Sequence, residues 1–234
     1  MDRFETIKDN LQRVRENVLR ASETRGDGRK VDILLATKTV PAEEMIYASD
    51  VLGARLMGEN KPQELCEKYD AVKDRCDMHL IGHLQTNKVR NVVGKVSLIE
   101  SVGSVHLARE INRISEKNGM VTDILAEVNI GREEAKGGLL EEELDPFFEE
   151  IASMPFIRPC GIMTMAPKCQ KKSDYRIYFS KTYKIFLDIS KKYLYNIIEP
   201  VLSMGMSDSY EQAVLEGATE VRVGSAVFGN RVYK

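Results

Sequence analysis

Lys38 offers the most distinctive chemistry in the chain. It closes the apolar run VDILLAT at residues 31–37, and period-two alternation places it on the side of Leu34 and Ala36. An amine walled by apolar groups has its charged form disfavoured and becomes a nucleophile that condenses with aldehydes. The plainer alternative is a lysine that emerges into solvent at a strand end. Anion binding is the second chemistry on offer. Ser203-Met204-Gly205-Met206-Ser207 and Arg222-Val223-Gly224-Ser225-Ala226 each combine backbone N–H groups, a hydroxyl and the start of a helix. Arg222 shares its strand face with Glu220 and Gly224. A buried arginine needs a partner, so Arg222 serves either a ligand or a structural ion pair with a glutamate.

Polar groups close nearly every other apolar run: Asn60, His83 with Gln85, Ser101, Asn129 and Thr164. Groups of this kind gathered at one mouth suit a polar ligand. His79 and His83 are four apart, but the strand-like Leu80–Gly82 between them argues against a zinc pair, and no metal site is expected. The absence of a G-x-S-x-G elbow, a Walker loop and an H-E-x-x-H motif removes the common hydrolase, nucleotidase and metalloprotease readings.

The elements that must position these groups follow a steady rhythm of apolar runs and amphipathic stretches, the pattern of βαβ units around a parallel sheet. The spacing predicts eight strands at Val31–Thr39, Ala54–Gly58, Met78–Gly82, Val96–Ser101, Thr122–Asn129, Ile157–Met165, Val201–Met204 and Thr219–Val223. Helices are expected at Pro41–Gly53, Pro62–Lys73, Thr86–Val93, Ser104–Asn118, Leu139–Met154, Ser173–Lys192 and Asp208–Gly217, with Ser104, Ser173 and Ser207 as N-caps. Ile7, Leu11, Val14 and Val18 line one face of a leading helix that ends at Arg25-Gly26-Asp27-Gly28. GREEAKGG at residues 131–138 reads as a polar βα loop. The expected fold is α/β, a single (β/α)8 TIM barrel occupying residues 1–234 as one domain, with the leading helix outside the repeat. Its functional groups then come from the carboxyl ends of the strands.

At 234 residues and 43% hydrophobic content the chain can bury one sizeable core. Charged residues make up 30% but leave a net charge of only −2, so no bulk field gathers nucleic acid or a membrane surface. No signal-peptide core or membrane-length apolar segment is present, and a cytoplasmic location is expected. Cys66, Cys76, Cys160 and Cys169 lack metal-ligand spacing and read as free thiols.

Several of these stretches together resemble one family. LATKT around Lys38, MGENKPQE around Asn60, HLIGHLQTNK at 79–88, GIMTM at 161–165 and LSMGMSDSYEQAVLEGATEVRVGSAVFGNR from Leu202 closely resemble the pyridoxal phosphate homeostasis proteins. The likeness runs from near residue 31 to the end. It implies a barrel like the N-terminal domain of alanine racemase, with pyridoxal 5'-phosphate (PLP) as cofactor and Lys38 as its Schiff-base lysine. By the same likeness Asn60 lies close to the ring, Ser207, Gly224 and Ser225 bind the phosphate, and Arg222 faces the pyridine nitrogen. Met204 and Gly205 are expected to line the ring's pocket. Lys61-Pro62 after Asn60 departs from the pair expected in many relatives and puts the local loop shape in question.

The implied function is a vitamin B6 protein of PLP homeostasis that buffers the cofactor or delivers it to apo-enzymes, without strong catalysis of its own. A guanidinium only donates hydrogen bonds, so a ring nitrogen facing Arg222 stays unprotonated and the cofactor is a weaker electron sink. Only five residues follow Gly229, so no second domain is expected over the mouth. The alternative is a minor PLP-dependent amino-acid racemase, which needs a second proton-transfer group, with Tyr210 or His83 as candidates. Without an evident large apolar patch a monomer is expected.

Overall fold

Two-sided burial decides the architecture: strands β1 (Asp32–Ala36), β2 (Leu56–Glu59), β3 (Asp77–Leu80), β4 (Leu98–Val102), β5 (Thr122–Val128), β6 (Ile157–Thr164), β7 (Val201–Met204) and β8 (Glu220–Val223) are largely buried on both faces. A sheet of that kind must be covered on both sides. In the computed structural model, which describes residues 2–134 and 136–229, these strands pair in parallel and in sequence order, and β8 returns to β1 to close a barrel. The outer faces, including Leu35, Met57, Ile99, Ile162, Leu202 and Val221, join the large core under the helices. Inside, Leu34 and Ile81 press on Gly58, where a Cβ would fall 2.7 Å from Leu34 Cδ2. Leu98, Leu125, Cys160 and Met163 fill another part of the interior.

Around the barrel run α2 (Ala42–Asp50), α3 (Pro62–Val72), α4 (Val105–Lys117), α5 (Leu144–Ile151), α6 (Tyr175–Tyr193) and the short α7 (Tyr210–Leu215) and α8 (Ser225–Phe228). The leading helix α1 (Arg3–Arg25) forms as its periodicity predicts. It buries Ile7, Leu11, Val14, Val18 and Ala21 against α7 and α8, and Gly26 ends it at φ 76°. None of the described helices is long and apolar enough to cross a membrane.

The expected helix at 86–93 is a 3-10 turn, Thr86–Asn91, stopped by Gly94 at φ 83°. The expected Leu139 start gives way to a bridge between Leu139 and Val128, followed by a 3-10 turn at Glu141–Glu143, in which the Glu143 carboxylate accepts from Leu140 N at 2.7 Å. Of the three serines expected as caps, Ser104 does accept from Leu107 N at 3.2 Å. Ser173 instead bonds Asp174, and Ser207 reaches across to the β8–α8 loop because the helix starts later, at Tyr210.

The turn after β1 is clamped from outside the barrel. Thr37 and Glu59 both point outward, and Thr37 Oγ1 lies 2.8 Å from Glu59 Oε1. Lys68 Nζ on α3 donates to that same oxygen at 2.7 Å and to Thr37 O at 3.0 Å, while Glu64 Oε2 accepts from Thr39 N at 2.8 Å. Thr39 takes φ 65°, a left-handed conformation that surrounding bonds must hold. Glu59 is fully buried, and burial pushes its pKa up against the opposing pull of Lys68. Lys68→Met strands this carboxylate and is expected to lower stability by about 3 kcal/mol. Adding Glu59→Gln should recover most of that loss in urea denaturation; equal loss in the single and double variants would mean that the ion pair does not hold the turn.

Candidate functional site

Lys38 lies one turn beyond β1, half-buried, and faces a cavity of about 390 Å3 shared with Ala36, Val40, Gly224 and Ser225. The alternation holds through this stretch. Leu34 is inside the barrel, Ala36 lies against Gly224, and Lys38 follows on the same side. Glycine suits position 224, since a Cβ would sit a tight 3.0 Å from Ala36 O. Lys68 is tied to Glu59 and Glu64, whereas among the described residues no carboxylate pairs with the Lys38 amine. Arg3 of α1 also borders this cavity and is held by both oxygens of Glu44, at 2.8 and 2.7 Å.

Near Lys38 two backbone N–H groups point at one place. The N–H groups of Gly224 and Ala226 converge on one oxygen, Ser207 Oγ, each at 3.1 Å. Ser225 lies between them, exposed at the cavity wall. Gly205 supports the loop at φ 91°, where a Cβ would strike Ala213 Cβ at 2.5 Å, and its carbonyl accepts from Arg222 N at 3.0 Å. Any residue larger than glycine is excluded there on both counts.

Arg222 is buried inside the barrel with its guanidinium spanning two strands. Nη2 donates to Thr164 O at 2.9 Å and Nη1 to Ser203 Oγ at 2.6 Å. Ser203 Oγ is also 2.7 Å from Glu100 Oε2 and 2.6 Å from Glu220 Oε1. His79 Nδ1 completes the group, 2.7 Å from Glu100 Oε1 and 3.6 Å from Glu220 Oε2. Burial would raise the Glu100 pKa, but the His79 bond and the Arg222 charge outweigh it and hold Glu100 below the usual carboxylate range. Burial and the neighbouring Glu100 charge push Glu220 up to about 8. Burial would lower His79, yet its bond to Glu100 and the charge of Glu220 raise it. The ion pair expected as one alternative for Arg222 therefore exists, at 3.7 Å from Glu100, while the backbone N–H of the same residue ties β8 to the loop after β7 through Gly205 O.

The other polar strand ends divide between two tasks. Ser101 Oγ bonds Gly82 O, Thr164 Oγ1 bonds Val128 O, and Asn129 ties the following loop through Glu133, so these three side chains shape backbone. His83 and Gln85 line a separate cavity of about 450 Å3 with Ser101, Ser104 and Glu127. Asn60 is half-buried, and its backbone passes so close to Gly82 that a Cβ there would lie 2.2 Å from Asn60 O.

Two expectations need correction. Met204 does not turn its side chain to the mouth: Ser203 takes the inward position on β7, so Met204 packs in the outer core with Leu202. Tyr210 is not at the mouth either, because its hydroxyl accepts from Asn17 Nδ2 of α1 at 2.7 Å, outside the barrel. Conversely, the sequence reading passed over Glu100, Glu127 and the Glu59–Lys68 clamp. Glu100 and Glu127 carried a signal, each being a carboxylate inside an otherwise apolar strand run. Burial raises the pKa of Glu127 against the lowering charges of Arg222 and His83.

The family model described as alanine racemase, N-terminal domain, matches residues 10–232. The pyridoxal phosphate homeostasis protein of Aquifex aeolicus (strain VF5) is 43% identical over 227 residues, covering 96% of this chain and 98% of that protein. Among solved structures, PipY of Synechococcus elongatus PCC7942 with PLP bound superposes with a TM-score of 0.81 at 26% identity, over 95% of this chain and 100% of that one. Alanine racemase of Clostridium difficile 630 shares the fold, with a TM-score of 0.68 at 16% identity over 94% of this chain and 57% of that one. An eight-stranded barrel of this order and a relative matched almost end to end lead to one assignment: the chain belongs to the alanine racemase N-terminal domain family and, within it, to the pyridoxal phosphate homeostasis proteins.

Proposed function

We propose that this protein binds PLP as a Schiff base on Lys38 and serves PLP homeostasis by buffering the cofactor or handing it on. The observation that carries this reading is one cavity that sets a half-buried lysine, without a carboxylate partner among the described residues, beside Gly224, whose N–H converges with that of Ala226 on Ser207 Oγ. The residues present fit the cofactor: an amine for its aldehyde, converging N–H donors for its phosphate, and a guanidinium for its ring nitrogen. When bound, PLP supplies a reactive aldehyde and an electron-withdrawing ring.

Each residue then has a task that its chemistry allows. Lys38 supplies the nucleophilic nitrogen. Ser207, Gly224 and Ser225 hold the phosphate, with an anionic oxygen taking the donors that Ser207 Oγ now accepts from. Arg222 has five N–H donors, two of them committed to Thr164 and Ser203, which leaves donors for the ring nitrogen. Asn60 sits beside the ring, and Gly205 and Met204 contribute backbone at its edge. Handing on to apo-enzymes, and action as a monomer, belong to the same proposal.

The carrier reading is favoured over the racemase reading by where the candidate acids and bases lie. Tyr210 is engaged on α1, and His83 opens on the other cavity. Incubating PLP-loaded protein with D- and L-amino acids in heavy water should give no exchange at Cα; exchange would make it a racemase-type enzyme.

Two measurements test the site itself. Adding PLP to the full-length protein should produce the Schiff-base absorbance, and borohydride reduction followed by digestion should place a pyridoxyl adduct on the Lys38 peptide. Lys38→Ala should abolish both, and an unchanged band in that variant would refute the assignment. Ser207→Ala should weaken PLP binding about tenfold, the size of one charge-assisted hydrogen bond, with little effect on pyridoxal, which lacks the phosphate. An equal loss for both vitamers would place the phosphate elsewhere.

A further inference from the structure

The interior group around Ser203 contains one proton more than its ionised residues would supply. A hydroxyl has one hydrogen to donate and two lone pairs to accept with. Ser203 Oγ has three partners within 2.7 Å: Arg222 Nη1, Glu100 Oε2 and Glu220 Oε1. Arg222 can only donate, so it takes one lone pair. The serine's own hydrogen serves one carboxylate. The third contact, oxygen to oxygen, is bonded only if the other carboxyl carries its own hydrogen.

Glu220 is the one that carries it. Glu100 faces His79 at 2.7 Å and Arg222 at 3.7 Å, both favouring its ionised form, while among the described residues Glu220 has only His79 Nδ1, at 3.6 Å, within ion-pairing reach. We propose that Glu220 is a protonated positioning residue: its carboxyl hydrogen, donated to Ser203, lets that hydroxyl serve Glu100 and receive Arg222, and so sets where the guanidinium stands beneath the mouth. This rests on the proposed role of Arg222 toward the cofactor.

The proton has a way out. His79 and Glu220 also line a cavity of about 500 Å3 at the opposite, amino end of the strands. The charged groups around Glu220 are His79 on β3, Glu100 on β4 and Arg222 on β8, with Asp32, Asp123, Arg158 and Glu199 bordering the cavity below. When Glu220 ionises, Ser203 can satisfy only one carboxylate, and the new negative charge draws Arg222 inward, away from the ring. Burial and the Glu100 charge place this ionisation at about 8. The sign follows from a folded pKa raised above the unfolded one. The native state holds the extra proton between the two values, so stability falls as pH rises from the ordinary carboxylate range through about 8, and the loss is complete above it.

Two arms test this on the full-length protein. Infrared difference spectra of cofactor-free wild type against Glu220→Gln should show, at neutral pH, a protonated-carboxyl band that belongs to Glu220 and fades as pH rises through about 8. In PLP-loaded protein the dissociation constant should rise about fivefold across the same range, the size of one weakened hydrogen bond. Glu220→Gln, whose amide donates to Ser203 as the carboxyl does, should hold the low-pH behaviour throughout, and Ser203→Ala should remove the pH step. No Glu220 carboxyl band at neutral pH overturns the shared proton. A pH step that persists in Glu220→Gln overturns the positioning role. If Lys38→Ala keeps the PLP band while the infrared result stands, the cofactor assignment has failed and the proton has not.

Discussion

All the groups discussed above owe their place to the alternation of eight parallel strands that end on one face. Closing the sheet in sequence order leaves two radial directions for each strand residue, outward to the helices or inward to the axis. On β1 that rule sends Leu34 and Ala36 inward and Leu35 and Thr37 outward, and it aims Lys38 at the mouth. On β7 and β8 it sends Ser203, Glu220 and Arg222 inward together. A shift of one residue in either strand would exchange Ser203 for Met204 and Arg222 for Val223, removing the polar group and the site with it.

Putting charges at the axis has a cost that sets the rest of the interior. An arginine with no counter-charge inside a barrel is untenable, and removing one partner of such a group costs several kcal/mol because the remainder is left buried and unpaired. Here the answer is distributed: a backbone carbonyl from β6, a hydroxyl from β7, carboxyls from β4 and β8, and an imidazole from β3. Five strands share the task, and the network runs from beneath the mouth down to the cavity at the amino ends of the strands. The same logic appears outside the barrel, where Lys68 offsets the buried Glu59 and their bonds hold the turn that carries Lys38.

Much of this was legible in the sequence because it depends on period and punctuation. The eight apolar runs, the leading helix with its Ile7, Leu11, Val14 and Val18 stripe, and the Gly/Ser loops after β7 and β8 are local signals. What escaped needed distance. Glu59 lies next to Asn60 in the chain, but its meaning depends on Lys68, nine residues on in α3, and on Thr37 at the end of another strand. Ser207 resembled a helix cap because the polar residues after it are all compatible with a helix start; only the packing of the β8–α8 loop claims its oxygen. The neighbours of Met204 point it to the pocket, but alternation from Arg222's partner Ser203 turns it outward. Composition alone carries the strand limits too far, as at Thr37–Thr39, because apolar and β-branched residues continue past the end of β1 at Ala36.

The division of the site between elements bears on what it is suited to do. The amine comes from the β1 turn, fixed by α3; the anion cradle comes from the β7 and β8 loops, fixed by α7 and the Gly205 contact with Ala213. A ligand joined to both is held by a covalent bond that water or another amine can reverse and by a cradle that needs no covalent change to let go. Retention then depends on both halves together, and loss of either leaves an intermediate grip and not an empty site. Sustained proton transfer at a bound substrate would need an acid or base fixed over the same cavity. Of the two considered, one is bonded to α1 and the other borders a different cavity. On the proposed reading, this divided and reversible grip is what storage and transfer of a reactive aldehyde would use.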